Sequence, residues 1–168
     1  LTSDSPVNFA GEYYKLDNAV LSPGSAQQPH IPILVGGTGE KRTLRTLAMY
    51  GDVFNLDGWT AREYGGMSLN LYKHKLSVLN QHCENVGRDP SEIRHTVLVP
   101  VKMTDDKAEA DEFIERIGPG TVAGSVQYII DRIGELVNEG VDEIMFGSLP
   151  NEPEEFQRIE EDVIAAFD

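Results

Sequence analysis

The chain alternates between short apolar runs and longer segments in which apolar residues recur every three or four positions. The short runs are Ile33-Leu34-Val35, Asp52-Val53-Phe54-Asn55, Thr96 to Val101 and Glu143 to Phe146. The first has no polar alternation, the pattern of a strand covered on both faces, which predicts burial for Ile33 to Val35. Helical patterns separate each consecutive pair. Leu44, Leu47 and Ala48 mark one helix closed by Gly51; Leu69, Tyr72, Leu76, Leu79, Cys83 and Val86 form the stripe of a longer one, ended by Gly87 and Pro90. Thr104 or Asp105 is placed to cap a helix burying Phe113, Ile114 and Ile117. Ser125 is placed to cap the next, with Val126, Ile129, Ile130, Ile133 and Val137 inward and Gly140 as terminator. Asn151 and Glu154 have the spacing of a capping box before a last helix marked by Phe156, Ile159, Val163 and Phe167. Strand, helix, strand, repeated, predicts an α/β fold with four parallel strands. Before it, Val7 to Leu16 reads as a surface hairpin around Ala10-Gly11, and LSPGSAQQPHIP as an extended loop.

Length and charge narrow the picture. A chain of 168 residues is the size of one domain, expected to span 1–168. With 28 acidic against 14 basic residues, its net charge of −14 repels nucleic-acid backbones and anionic membranes, which excludes both as general partners. No run has membrane-spanning length and no signal segment is visible, and the single cysteine, Cys83, forbids an intrachain disulfide; together these predict a cytoplasmic protein. Cys83 lies on an apolar stripe and reads as core. The histidines His30, His74, His82 and His95 lack close metal-ligand spacing, since His74 and His82 are about 12 Å apart along a helix, and no metal is expected. Asp52 and Asp57 read as solvating acids beside a strand, while Trp59 and Tyr64 line a pocket or pack. No catalytic residue stands out.

One feature carries chemistry. PILVGGTGEKRTLRTLAMYGDVFN, Pro32 to Asn55, places Gly36, Gly37, Thr38 and Gly39 between a strand and a helix. Such a turn presents unpaired N–H groups and the positive end of the helix dipole at one point, a place for an anion. Lys41, Arg42 and Arg45 add positive charge to an acidic chain, and Thr38 and Thr43 add hydroxyls. The bland reading, a tight turn beside a solvated basic face, stands equally on these residues alone. A P-loop is excluded because Glu40-Lys41 follows Gly39, and a dinucleotide fingerprint is disfavoured by Arg42 at its third glycine position, although Asp57 lies where a ribose-binding acid belongs.

With these segments the chain resembles the C-terminal half of luciferase-like oxidoreductases, the family of bacterial luciferase and the deazaflavin (coenzyme F-420)-dependent enzymes. The resemblance is carried by F-x-G-x-Y-Y (Phe9 to Tyr14), PILVGGTGEKRTLR (Pro32 to Arg45), A-x-Y-x-D-x-x-N (Ala48 to Asn55), KLSVLNQHCENVGRDPSEI (Lys75 to Ile93) and GVDEIMF (Gly140 to Phe146). It implies strands five to eight of a TIM-type (β/α)₈ barrel, with the N-terminal half absent and the cofactor at the C-terminal strand ends. It implies that Gly36, Gly37, Thr38 and Gly39 supply donors to the cofactor phosphate, with Arg42 and Thr43 beside them, and that Asn55 points to the cofactor side. The cofactor so implied is coenzyme F-420, with FMN as the alternative, and the activity is hydride transfer or monooxygenation of a small organic substrate. The alternative from another class is a non-catalytic half-barrel that binds or assembles. Half a barrel has free edges and an uncovered face, so association with a second copy or with an N-terminal half is expected.

Overall fold

The computed structural model describes residues 5–57, 60–147 and 153–167. It falls into two compact units, residues 1–33 and 34–168. The first holds an antiparallel hairpin of β1 (Val7–Ala10) and β2 (Lys15–Ala19), paired Phe9 to Leu16 and Ala10 to Lys15. Its F-x-G motif has a steric cause. A Cβ on Gly11 would sit 2.6 Å from the ring of Phe9, so the ring lies against a bare backbone.

The second unit is a parallel sheet with helices in the connections. Its elements are β3 (Leu34–Gly36), α1 (Thr43–Tyr50), β4 (Val53–Asp57), α2 (Leu69–Val86), β5 (Arg94–Met103), α3 (Lys107–Ile117), β6 (Val122–Gly124), α4 (Val126–Asn138), β7 (Glu143–Gly147) and α5 (Pro153–Arg158). A 3₁₀ turn, Thr60–Tyr64, follows β4. β3 pairs with β4, and β4 with β5; β5 also pairs with β7 along Thr96 to Pro100 and with β6 beyond it, from Val101 to Met103. All of these pairs are parallel. The four expected strands are present, and β6 adds a fifth of three residues, too short to show a period in the sequence.

Local chemistry sets the boundaries. Ser68 caps α2 by accepting from the Leu71 amide, and Gly87 ends it in the left-handed region at φ 71°. Ser125 caps α4, as its position predicts. For α3 the cap is Asp106, which accepts from the Ala108 and Glu109 amides, and not Thr104 or Asp105. Thr104 instead bonds the Glu109 carboxylate and the Asp106 amide, supporting the cap from behind. The last helix starts at Pro153, and its expected Asn151 cap lies outside the described residues. The GRD stretch closes the C-terminus of α1: the Arg88 guanidinium donates to the carbonyls of Leu47, Ala48 and Gly51, at 3.3, 3.3 and 2.6 Å.

Alternation along the strands sorts the sheet into two unlike faces. Phe54, Leu56, Val97 and Val99 join Leu44, Leu47, Tyr72, Leu79, Cys83, Ile129 and Ile133 in one core beneath the helices. The opposite face carries Leu34, Asn55, Thr96, Leu98 and Met145, and none of these belongs to that core. Here the two-sided burial expected of Ile33 to Val35 fails. Leu34 is 47% exposed and only Val35 packs on the core, because helices cover one face alone. Two stripe assignments shift as well. Val137 and Val86 are exposed, while Leu136 and Lys75 are buried.

Candidate functional site

β3 delivers the glycine loop at the C-terminal end of the sheet, beside the end of β4. The Gly37 amide donates to the Asn55 carbonyl at 3.2 Å, extending the ladder by one residue, and Gly37 then turns with φ at +122°, a region open to glycine and costly for other residues. Gly37 therefore shapes the loop, and its own N–H is spent on the sheet. Gly39 is required for close approach: a Cβ there would lie 2.7 Å from the Thr43 hydroxyl. The Leu44 amide reaches back to the Gly39 carbonyl at 3.0 Å. Within the described residues the amides of Lys41, Arg42 and Thr43 have no hydrogen-bond acceptor. The N-cap position of α1 is Arg42, whose side chain makes no capping bond, and no acid lies in the first turn. An uncapped helix start, a bare-backbone turn and exposed Lys41, Arg42 and Arg45 thus occupy one corner.

The expected residues separate into two groups. Gly36, Gly37, Thr38, Gly39, Arg42 and Thr43 form this one continuous turn. Thr38 is buried and its hydroxyl donates to Glu63 at 3.3 Å. Asn55, also buried, lies on the face without helices, with its amide donating to the Thr96 hydroxyl at 2.8 Å and approaching the Met145 sulfur at 3.8 Å. The Thr96 hydroxyl passes the bond on to the Phe54 carbonyl. Asn55 and Gly36 are register partners, so Asn55 lies directly beside the start of the loop.

Sequence reasoning missed the residues that hold this corner from behind. Glu40, the residue after GGTG, receives three side chains from α2. Lys75 Nζ lies 2.6 Å and His74 Nε2 2.9 Å from its Oε1, and His82 Nε2 lies 2.8 Å from its backbone carbonyl. The Lys75 side chain is 0% exposed and its ammonium sits 4.0 Å above the Tyr64 ring, a cation–π contact. His74 and His82 thus both end on Glu40. Among the described residues no group of His, Cys, Asp and Glu could hold a metal ion. Trp59 lies outside the described residues. Burial pushes the Cys83 thiol up and leaves it a core residue.

The pair sets a pH dependence. Hydrogen bonds from Lys75, and then from His74, hold the Glu40 carboxyl below its usual value of 4.5. Burial pulls the Lys75 ammonium down, but the hydrogen bonds to Glu40 and Tyr64 outweigh it, so its pKa rises above 10.5. A depressed carboxyl stabilises the fold above its unfolded pKa and loses that contribution as pH falls through the folded one. A raised ammonium stabilises below its unfolded pKa and loses its contribution as pH climbs through the folded one. The contribution of this pair to the unfolding free energy is therefore expected to be level between about pH 5 and pH 10 and to fall at both ends. Urea unfolding at a series of pH values checks it: Lys75→Met should flatten the fall above pH 10.

The sequence profile of the family described as luciferase-like monooxygenase matches residues 1–118. Among solved structures, the chain is similar to an F-420-dependent secondary alcohol dehydrogenase in complex with an F-420–acetone adduct. The TM-score is 0.75 at 19% identity, over 99% of this chain and 57% of that one. It is similar to a coenzyme F-420-dependent tetrahydromethanopterin reductase from Methanopyrus kandleri, with a TM-score of 0.76 at 18% identity, over 98% and 59% of the two chains. A long-chain alkane monooxygenase matches with a TM-score of 0.70 at 15% identity, over 97% and 46%. The chain spans a little over half the length of the first two structures.

Proposed function

The chain belongs to the luciferase-like monooxygenase family, and from that premise we propose that it forms the phosphate-holding side of an oxidoreductase that uses coenzyme F-420. The observation that carries this reading is the strand–GGTG–helix turn, which ends at an uncapped helix start flanked by Lys41, Arg42 and Arg45 in a chain of net charge −14. Residues that fit an anion are present: the open amides of Lys41, Arg42 and Thr43, brought to one point by a turn in which Gly39 lets Thr43 pack close. The sequence segments GGTGEKRTLR and HCENVGRDP support F-420 over FMN, as does the F-420 dependence of two of the similar structures. FMN is the alternative, supported by the similarity to a riboflavin lyase solved with modified FMN.

When bound, the deazaflavin supplies two-electron hydride chemistry to a small organic substrate. The chain's own residues bind and orient. The amides at the start of α1 and the Thr43 hydroxyl hold the phosphate, and the φ of Gly37 aims the turn. Asn55, fixed by Thr96, stands beside Gly36 where the loop leaves the sheet. Fluorescence titration of the protein containing this chain with F-420 and with FMN tests the reading: saturable binding of F-420, tighter than that of FMN, is expected, and no binding of either refutes it.

The sheet face opposite the helices bears on assembly. Leu34 is exposed there while Leu98 and Met145 are half-buried, and at about 25 cal/mol per Å² each hundred Å² of apolar surface covered would be worth about 2.5 kcal/mol. Expressed alone, residues 1–168 are expected to pair with a second copy through this face. Sedimentation at micromolar concentration should show a species heavier than 18.6 kDa; a single species of that mass would contradict the pairing.

A further inference from the structure

We propose that Lys75, which is too deeply buried to touch a cofactor, sets the cofactor affinity of the glycine loop by acting with Glu40 as a strut beneath it. The inference rests on the anion-binding reading of that loop. Its basis is convergence. Residues 38 to 40 are gripped from two sides: Glu63, in the turn after β4, takes the Thr38 hydroxyl, while Lys75, His74 and His82 of α2 all end on Glu40. Tyr64, next to Glu63, closes the circuit by facing the Lys75 ammonium at 4.0 Å.

A lysine with no exposed side-chain surface is costly to bury, and it persists where a specific geometry holds it. Here the geometry fixes both ends of one residue. Lys75 and His74 hold the Glu40 carboxylate, and His82 holds the Glu40 carbonyl. The one acid within the loop is thereby drawn onto α2 and neutralised, so it does not oppose an incoming phosphate. The backbone from Gly39 to Thr43 is also fixed before any ligand arrives, which removes ordering cost from binding. Lys75 is thus a positioning residue, acting through Glu40.

The test uses the protein that contains this chain, its Lys75→Met variant, and two readouts: titration with F-420 and with FMN, and amide hydrogen exchange. Met removes the buried charge and leaves Glu40, itself 38% exposed, able to reach water. The expected result is weakening of whichever cofactor binds by about tenfold, with faster exchange at Gly39 to Leu44. Exchange at Leu79 and Cys83, on the same helix, should keep wild-type protection, which a general loss of stability would not allow. Wild-type affinity together with wild-type loop exchange overturns the strut. If the unsubstituted protein binds neither cofactor, the anion-binding reading falls, and loop exchange alone decides whether the strut orders the loop. If Lys75→Met does not fold, His82→Phe removes only the bond to the Glu40 carbonyl. Faster loop exchange and weaker binding in that variant uphold the proposal, and unchanged values overturn it.

Discussion

Gly37→Asp is expected to lower cofactor affinity by about a hundredfold or more. A carboxylate placed in the turn would face the phosphate at a few ångströms, where like charges near a protein surface repel by about 2–4 kcal/mol, and 2.8 kcal/mol is a hundredfold. The backbone contributes a separate cost. Gly37 sits at φ +122°, so any side chain there is strained by about 1–3 kcal/mol, although the space is open, with the Thr43 methyl 3.6 Å from the built Cβ. Gly37→Ala isolates that strain. It should lower the melting temperature as Gly37→Asp does and weaken binding far less. Equal losses of affinity in the two variants would assign the effect to backbone conformation rather than charge. Wild-type affinity in Gly37→Asp would remove the phosphate from this loop altogether.

The second large effect is on stability. Phe54 is fully buried between the sheet and the helices, in the strand that carries Asn55. Phe54→Ala is expected to cost about 3–5 kcal/mol through lost transfer energy and the cavity left behind. That is a large fraction of the roughly 5–15 kcal/mol of an ordinary domain, so the variant should melt well below the wild type or fail to accumulate. Val137→Ala is the counterpart. The sequence stripe turns Val137 inward, but it is 45% exposed, and its truncation should stay within about 0.5 kcal/mol. A Val137→Ala loss comparable to that of Phe54→Ala, in chemical unfolding of both variants, would mean that α4 is rotated from the orientation described.

The same residues show how far the sequence can be read. Helices are legible because α2 and α4 repeat their apolar positions over many turns, and Ser125 stands alone as a capping candidate. Around α3 three neighbours, Thr104, Asp105 and Asp106, can all cap, and only backbone geometry selects Asp106. Stripe edges slip by one residue for a similar reason, as at Leu136 and Val137, since a 3.6-residue period leaves the boundary position undetermined. Lys75 is partly signalled, standing between Tyr72 and Leu79 at helical spacing on a buried face. Its partner Glu40 lies 35 residues away, and no local pattern joins them. Which face of the sheet the helices cover is illegible because an apolar strand looks alike under one layer of helices or two. The glycine turn is the reverse case: its position between strand and helix is plain, while the division of labour within it requires geometry. Gly37 spends its amide on Asn55, and Gly39 makes room for Thr43.

The most direct test of the phosphate reading compares ligands that differ in the phosphate. The protein containing this chain would be titrated, under one salt condition, with F-420 and with its phosphate-free deazaflavin chromophore, and in parallel with FMN and riboflavin. The loop as described predicts that within the pair that binds, the phosphorylated member binds about a hundredfold more tightly or better, and that Gly37→Asp erases the difference. Equal affinity for the two members, or a difference untouched by Gly37→Asp, would contradict it.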